Sequence, residues 1–332
     1  MSTTVLPDRA TTPTATTAPG LRGLLWLTFR QNRVFLRALV ALLLVAAADL
    51  LWIHVLCQRT MDELRRSGCD SSDSWSHTDC WTVYEPIHSP TFWYVQVLQP
   101  AVTAVPLLIG VFVGAPLLAQ EYERGTIRLI RAQSVSPIRW LAVRLAVPGL
   151  AVLAASGLLA VLMTWVWWTD IVHGPYAFDP PFQFFTYPAL GLAPIAWSVF
   201  ALSLGVLVGQ LVRRLVPAMF LAGALVAVAV GLVRWARPYF HPIVDQVAAV
   251  GTPQPTNAWL LGRGIVLPDG TRASTDTCLF SFQDNPSCDI ATASWARFHP
   301  ADHLVPIQLV EAGLLLTLSA LLLLTVFRRI RA

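Results

Sequence analysis

The chain has 332 residues, 55% of them hydrophobic and only 13% charged, with a mean hydropathy of +0.58 and a formal net charge of +4. Soluble domains carry about 25% charged residues, so this chain cannot clothe a globular surface in water and most of its surface must face lipid. All 23 basic residues are Arg, and a chain without Lys cannot build a Walker A loop, whose Lys reaches the nucleotide phosphates.

Residues 1–19 are rich in Thr, Pro and Ala and are expected to form a disordered tail. They lack the short apolar region and cleavage site of a signal peptide. In the next segment Leu21, Leu24, Leu25 and Phe29 recur at helical spacing, with Arg22, Arg30, Gln31 and Arg33 elsewhere on the wheel. This pattern predicts an amphipathic helix lying in the membrane interface.

A bilayer core about 30 Å thick requires roughly 20 apolar helical residues. Six stretches qualify: Phe35–Leu56, Val97–Ala119, Leu145–Trp168, Pro188–Val212, Leu215–Val233 and Val305–Phe327. Backbone groups in lipid must bond within their own segment, and the alternation of a barrel strand is missing, so the expected class is an all-α integral membrane protein of six transmembrane helices. Only Arg213 and Arg214 separate the fourth and fifth stretches, which predicts a tight hairpin. With the N-terminus inside, 15 of the 23 Arg residues fall on the inner side, so both termini are expected in the cytoplasm.

Cys69 and Cys80 share the first outer loop of this topology, and Cys278 and Cys288 share the third. Outer loops face an oxidising side, so two local disulfides, Cys69–Cys80 and Cys278–Cys288, are the simplest pairing. Free thiols and cross-loop pairing stay open, since connectivity does not follow from spacing. No metal site is expected: the CxxC spacing of zinc knuckles is missing. The seven His residues are scattered, mostly over outer loops, and read as solvated side chains. Neither HExxH nor GxSxG is present, so neither a zinc protease nor an ordinary serine hydrolase is visible. Glu311, two turns into the sixth stretch, is a candidate polar group of a translocation path or a partner for a neighbouring helix.

The segment between the second and third stretches, Gly114–Trp140, holds the densest polar pattern. Gly125 breaks the second helix after Glu121 and Glu123. Thr126 can cap a short amphipathic helix carrying Ile127, Ile130 and Ser134 on one side and Arg128 and Arg131 elsewhere. Ser136 can cap the next helix, with Pro137 at its first position. A short helix displayed this way suits docking in a partner's groove.

This segment resembles the region after the second span in actinobacterial-type ABC transporter permeases of the type-2 exporter class. Glu121, Glu123, Gly125, Thr126, Gln133, Ser134, Arg139 and Trp140 match that pattern in order. Trp26–Arg33 resembles the family's segment before the first span. His299–Glu311 resembles its entry to the last, except that His303, Leu304 and Val305 replace an Arg-Phe-Trp. The resemblance implies a permease homodimer in the bilayer, bound to a separate ATPase subunit that carries ATP and Mg, with no cofactor in this chain. It implies that Glu121–Trp140, Arg128 included, contains the coupling helix, and that Trp26, Arg30, Gln31 and Arg33 lie on an interfacial helix. The long loop before the sixth span would cap the outer exit with short re-entrant helices. No nucleic-acid partner is expected. The rival readings are an ion-coupled secondary transporter, for which repeated halves with broken helices are not visible, and a membrane enzyme or scaffold with an outer-loop His/Asp site.

Overall fold

The computed structural model describes residues 21–69, 78–125, 136–169, 180–250, 252, 257–274 and 291–331. Among them are six helices long and apolar enough to cross a membrane, so the protein is an integral membrane protein whose membrane-spanning part is all-α. The spans run Arg33–Arg66, Glu85–Glu123, Pro137–Trp167, Ala193–Val212, Leu215–Tyr239 and Ala301–Arg331. A separate helix, α1 (Leu21–Gln31), precedes the first span. One end of the bundle, rich in Arg, holds α1, the turn between the fourth and fifth spans and the C-terminus. The opposite end carries a small β-sheet.

The first span continues ten residues past its predicted end. Leu50, Ile53, Cys57, Met61 and Leu64 are buried at spacings of three or four residues, while Arg59, Glu63, Arg65 and Arg66 stay exposed, so the extension is an amphipathic helix. It stops where Gly68 takes φ +71° and the Cys69 amide donates to the Leu64 carbonyl at 2.8 Å. Cys69 is disulfide-bonded to Cys80 at the start of the next helix, Thr78–Trp93. The bridge ties the end of the first span's helix to the start of the next, and Met61, Leu64 and Ile87 pack in one buried cluster with Met163 and Trp167 of the third span. The disulfide closes a loop of 11 residues' separation, so Cys69→Ser lowers stability by about 2–3 kcal/mol, measured by thermal unfolding in detergent with and without reductant. Cys278 and Cys288 lie outside the described residues.

The fourth span is the hub: 67% of its apolar window is buried, against 11% for the first span. Close approach of backbones explains this. Gly110 and Gly114 on the second span face Ala201, Leu202 and Gly205 on the fourth, and a Cβ at Gly114 would lie 2.7 Å from the Leu202 carbonyl oxygen. A Cβ at Gly209 would run into the Ala115 carbonyl oxygen. Two small-xxx-small patterns thus mesh where apolar packing against lipid gives no preference.

The fourth helix begins at Ala193, not at Pro188 as predicted. A short turn, Thr186–Ala189, precedes it, and Gly191 takes φ +59°. Side chains satisfy this irregular backbone. Gln308 Oε1 accepts from the Leu192 amide at 3.2 Å, Gln308 Nε2 donates to the Leu190 carbonyl at 3.0 Å, and Thr164 Oγ1 accepts from the Gly191 amide at 2.9 Å.

In place of the expected re-entrant helices, the described part of the loop before the sixth span forms strands. It holds a four-stranded antiparallel sheet, ordered β1 (Val244–Ala248), β4 (Ala293–His299), β2 (Trp259–Val266) and β3 (Arg272–Ser274). An Asp269–Gly270 turn, with Gly270 at φ +80°, joins β2 to β3. Arg272 pairs with Asp245 at 2.9 Å, and that bond holds the Asp245 carboxyl below the usual range.

Candidate functional site

At the Arg-rich end several polar contacts join α1 to the second, third, fourth and fifth spans. Gly125 takes φ +71° and ends the second span. Glu121, one turn earlier, accepts from Arg144 Nη2 at 2.6 Å. Arg144 stands on the third span, where Ser136 Oγ accepts from the Arg139 amide at 3.3 Å and Pro137 occupies the first turn. Its Nη1 donates to Gln31 Oε1 of α1 at 2.5 Å. One guanidinium therefore clamps α1, the end of the second span and the start of the third. Both partners of the ion pair are less than one-fifth exposed, so its charge-assisted bonds are shielded from water.

Glu123 extends the clamp to the fourth and fifth spans. Its Oε2 accepts from the Leu215 amide at 2.8 Å, so the carboxylate caps the N-terminus of the fifth span, where negative charge is favoured. Arg213, in the left-handed conformation at the hairpin turn, stacks 5.3 Å from the Tyr122 ring centroid. Trp140 packs half-buried in a cluster with Leu118, Leu141 and Val326, which includes the sixth span. Arg139 is exposed.

A second polar centre lies toward the sheet end. Glu311 is 1% exposed and accepts four hydrogen bonds: Arg237 Nε at 2.9 Å, Arg237 Nη2 at 3.2 Å, Trp197 Nε1 at 2.7 Å and Tyr187 Oη at 3.0 Å. The Arg237 guanidinium also stacks 3.8 Å above the Tyr187 ring. The carboxylate is thus neutralised and saturated, as a buried charge must be. Beside this network, a cavity of about 290 Å³ is lined by Pro100, Thr103, Phe185, Val226, Arg234 and Arg237 among others. Its lining is mostly apolar; the Arg234 guanidinium lies 3.5 Å from the Phe184 ring centroid.

Comparison with known proteins matches residues 40–237, more than half of the chain, to the family described as ABC-2 membrane transporter related. The chain belongs to that family. No match was found among curated proteins or among solved structures. As a member of the ABC-2 related family, the protein is a multi-pass membrane component of a transporter.

Of the positions singled out in the sequence of this ABC-2 related protein, Glu121, Glu123, Gly125, Arg139 and Trp140 gather at the Arg-rich end, joined there by Gln31. Thr126, Arg128, Gln133 and Ser134 lie outside the described residues. Trp26 is exposed, with the Arg30 guanidinium 5.1 Å from its ring centroid. Arg33 is exposed and opens the first span. Nothing local to Arg144 in the sequence announces its partners on α1 and the second span; only the fold brings them together.

The expectation of scattered histidines fails at one place. His241, His299 and His303 converge at the junction of the sheet with the fifth and sixth spans. The spacing His299-x-x-x-His303 was a visible signal, but His241 is far away in the chain and only the fold adds it.

Proposed function

We propose that this chain is the permease subunit of an ATP-driven exporter of the cell membrane, with both termini in the cytoplasm. Two copies form the translocation unit, and a separate ATPase subunit, which binds ATP and Mg, docks on residues 120–144. The observation that carries the reading is the Arg144 clamp. A force applied to the segment after Glu123 reaches α1 through Arg144 and Gln31, and reaches the fifth span through the Glu123 cap on Leu215. In this scheme α1 lies along the inner interface, and ATP-driven closure moves it together with four spans. The missing Lys agrees with a motor on another chain.

The test is co-expression with the candidate ATPase, followed by co-purification and nucleotide-driven transport in vesicles. Replacing residues 126–135 by a Gly-Ser linker abolishes co-purification. Arg144→Ala preserves the complex but lowers transport, and costs the permease about 1.5–3 kcal/mol through the lost charge-assisted bonds. An ATPase that co-purifies unchanged with the linker variant overturns the docking assignment.

A further inference from the structure

We propose that His241, His299 and His303 form a zinc site that fastens the sheet to the ends of the fifth and sixth spans. The three residues come from separate elements. His241 follows the turn after the fifth span, His299 ends β4, and His303 stands in the last turn before the sixth helix, Leu304–Arg331. Each offers one ligand atom, and these atoms all lie within 4.8 Å of one another. His299 Nδ1 and His303 Nδ1 are 3.1 Å apart, and the rings of His241 and His303 are 4.0 Å apart between centroids.

Zinc holds imidazole nitrogens at about 2.0–2.1 Å in a tetrahedron, which sets them about 3.3–3.4 Å apart. The first pair, 3.1 Å apart, is within a few tenths of an ångström of that spacing, and the His241 nitrogen lies within 4.8 Å of both. His299 is 0% exposed, and its Nε2 lies 3.0 Å from the Pro238 carbonyl oxygen. A carbonyl only accepts, so Nε2 carries the proton and the Nδ1 lone pair faces the cluster. That is the outer-sphere arrangement which orients a metal-bound imidazole. Nδ1 of His241 is buried with no hydrogen-bond partner, an uncompensated polar atom beside the same centre.

Three neutral nitrogen donors with a fourth position left to water suit Zn(II); a hard cation such as Mg(II) prefers oxygen. Without a metal, the His299–His303 contact is one N–H···N bond and the buried Nδ1 of His241 stays unpaired. The sequence pattern alone does not distinguish the two, because only the fold delivers the third donor.

The test uses tag-free, full-length protein in detergent, stripped with a chelator and titrated with Zn(II), and in parallel with Co(II). The wild type retains about one zinc per chain through gel filtration, and cobalt produces the intense visible bands of a four-coordinate ion. His303→Ala weakens retention tenfold or more and removes those bands, as does His241→Ala. His303→Cys, which keeps a zinc donor, restores binding and adds a thiolate-to-cobalt charge-transfer band. That variant decides the matter if the Ala variants fail to fold. Zinc uptake no greater in the wild type than in His241→Ala/His299→Ala/His303→Ala, or unchanged by His303→Ala, overturns the site, as does His303→Cys lacking the charge-transfer band.

Discussion

Arg237→Met lowers the stability of the protein by about 3–5 kcal/mol, because it leaves Glu311 as an unpaired carboxylate at 1% exposure. Loss of the folded, monodisperse fraction in detergent and a fall in the unfolding temperature report it. The effect is large because water cannot reach the orphaned charge, and Tyr187 and Trp197 offer only neutral donors. Adding Glu311→Gln to Arg237→Met recovers most of the loss. The amide is neutral, and its oxygen still accepts from Tyr187 or Trp197. Transport by this double variant then separates two roles of Glu311. Transport that returns with folding assigns the residue to holding the turn at Tyr187 and the fourth, fifth and sixth spans together. A double variant that folds but does not transport assigns it to the translocation path.

Gly205→Val disrupts the bundle at its centre. A Cβ there would lie 2.8 Å from the Ala115 amide nitrogen and closer still to the Gly110 carbonyl oxygen, and both obstacles are backbone. A rotamer change cannot relieve the clash, so the second and fourth spans must separate, at a cost of about 3 kcal/mol or more. Gly157→Ala is the control. Nothing lies within 4 Å of a Cβ at that position, and the substitution removes backbone freedom from a helix interior, so stability is unchanged or slightly raised. Comparing folded yield and unfolding temperature of the two variants checks the packing directly. Equal behaviour would mean that the two spans do not meet at these glycines.

The same contrast explains the candidate coupling site. Local chemistry announced several of its parts. Gly125 was legible as the helix end, and Ser136 with Pro137 as a helix start, because each acts on backbone groups within four residues of itself. The partners of the polar side chains were not legible. Glu121 and Arg144 are 23 residues apart, Gln31 and Arg144 are 113, and Glu123 and Leu215 are 92. A carboxylate next to a helix end carries the same sequence signal whether it meets a partner protein or another part of its own chain.

The sequence by itself determined the membrane class, the six spans and the turn at Arg213–Arg214, because the bilayer imposes a length and a polarity on every crossing segment regardless of its neighbours. It also contained the glycines, the buried acid and the histidines, without their roles. Lipid and a neighbouring helix are equally apolar, so hydrophobic periodicity does not say which face of a span is packed. Only the tertiary structure decided that the fourth span is the hub, that Gly110 and Gly114 meet Gly205, and that Glu311 closes on Arg237 across 74 residues. It also decided that the long loop folds as a sheet, whose last strand carries His299 to His241 and His303. These are long-range pairings, selected by backbone clearance and by the cost of an unsatisfied charge or polar group away from water.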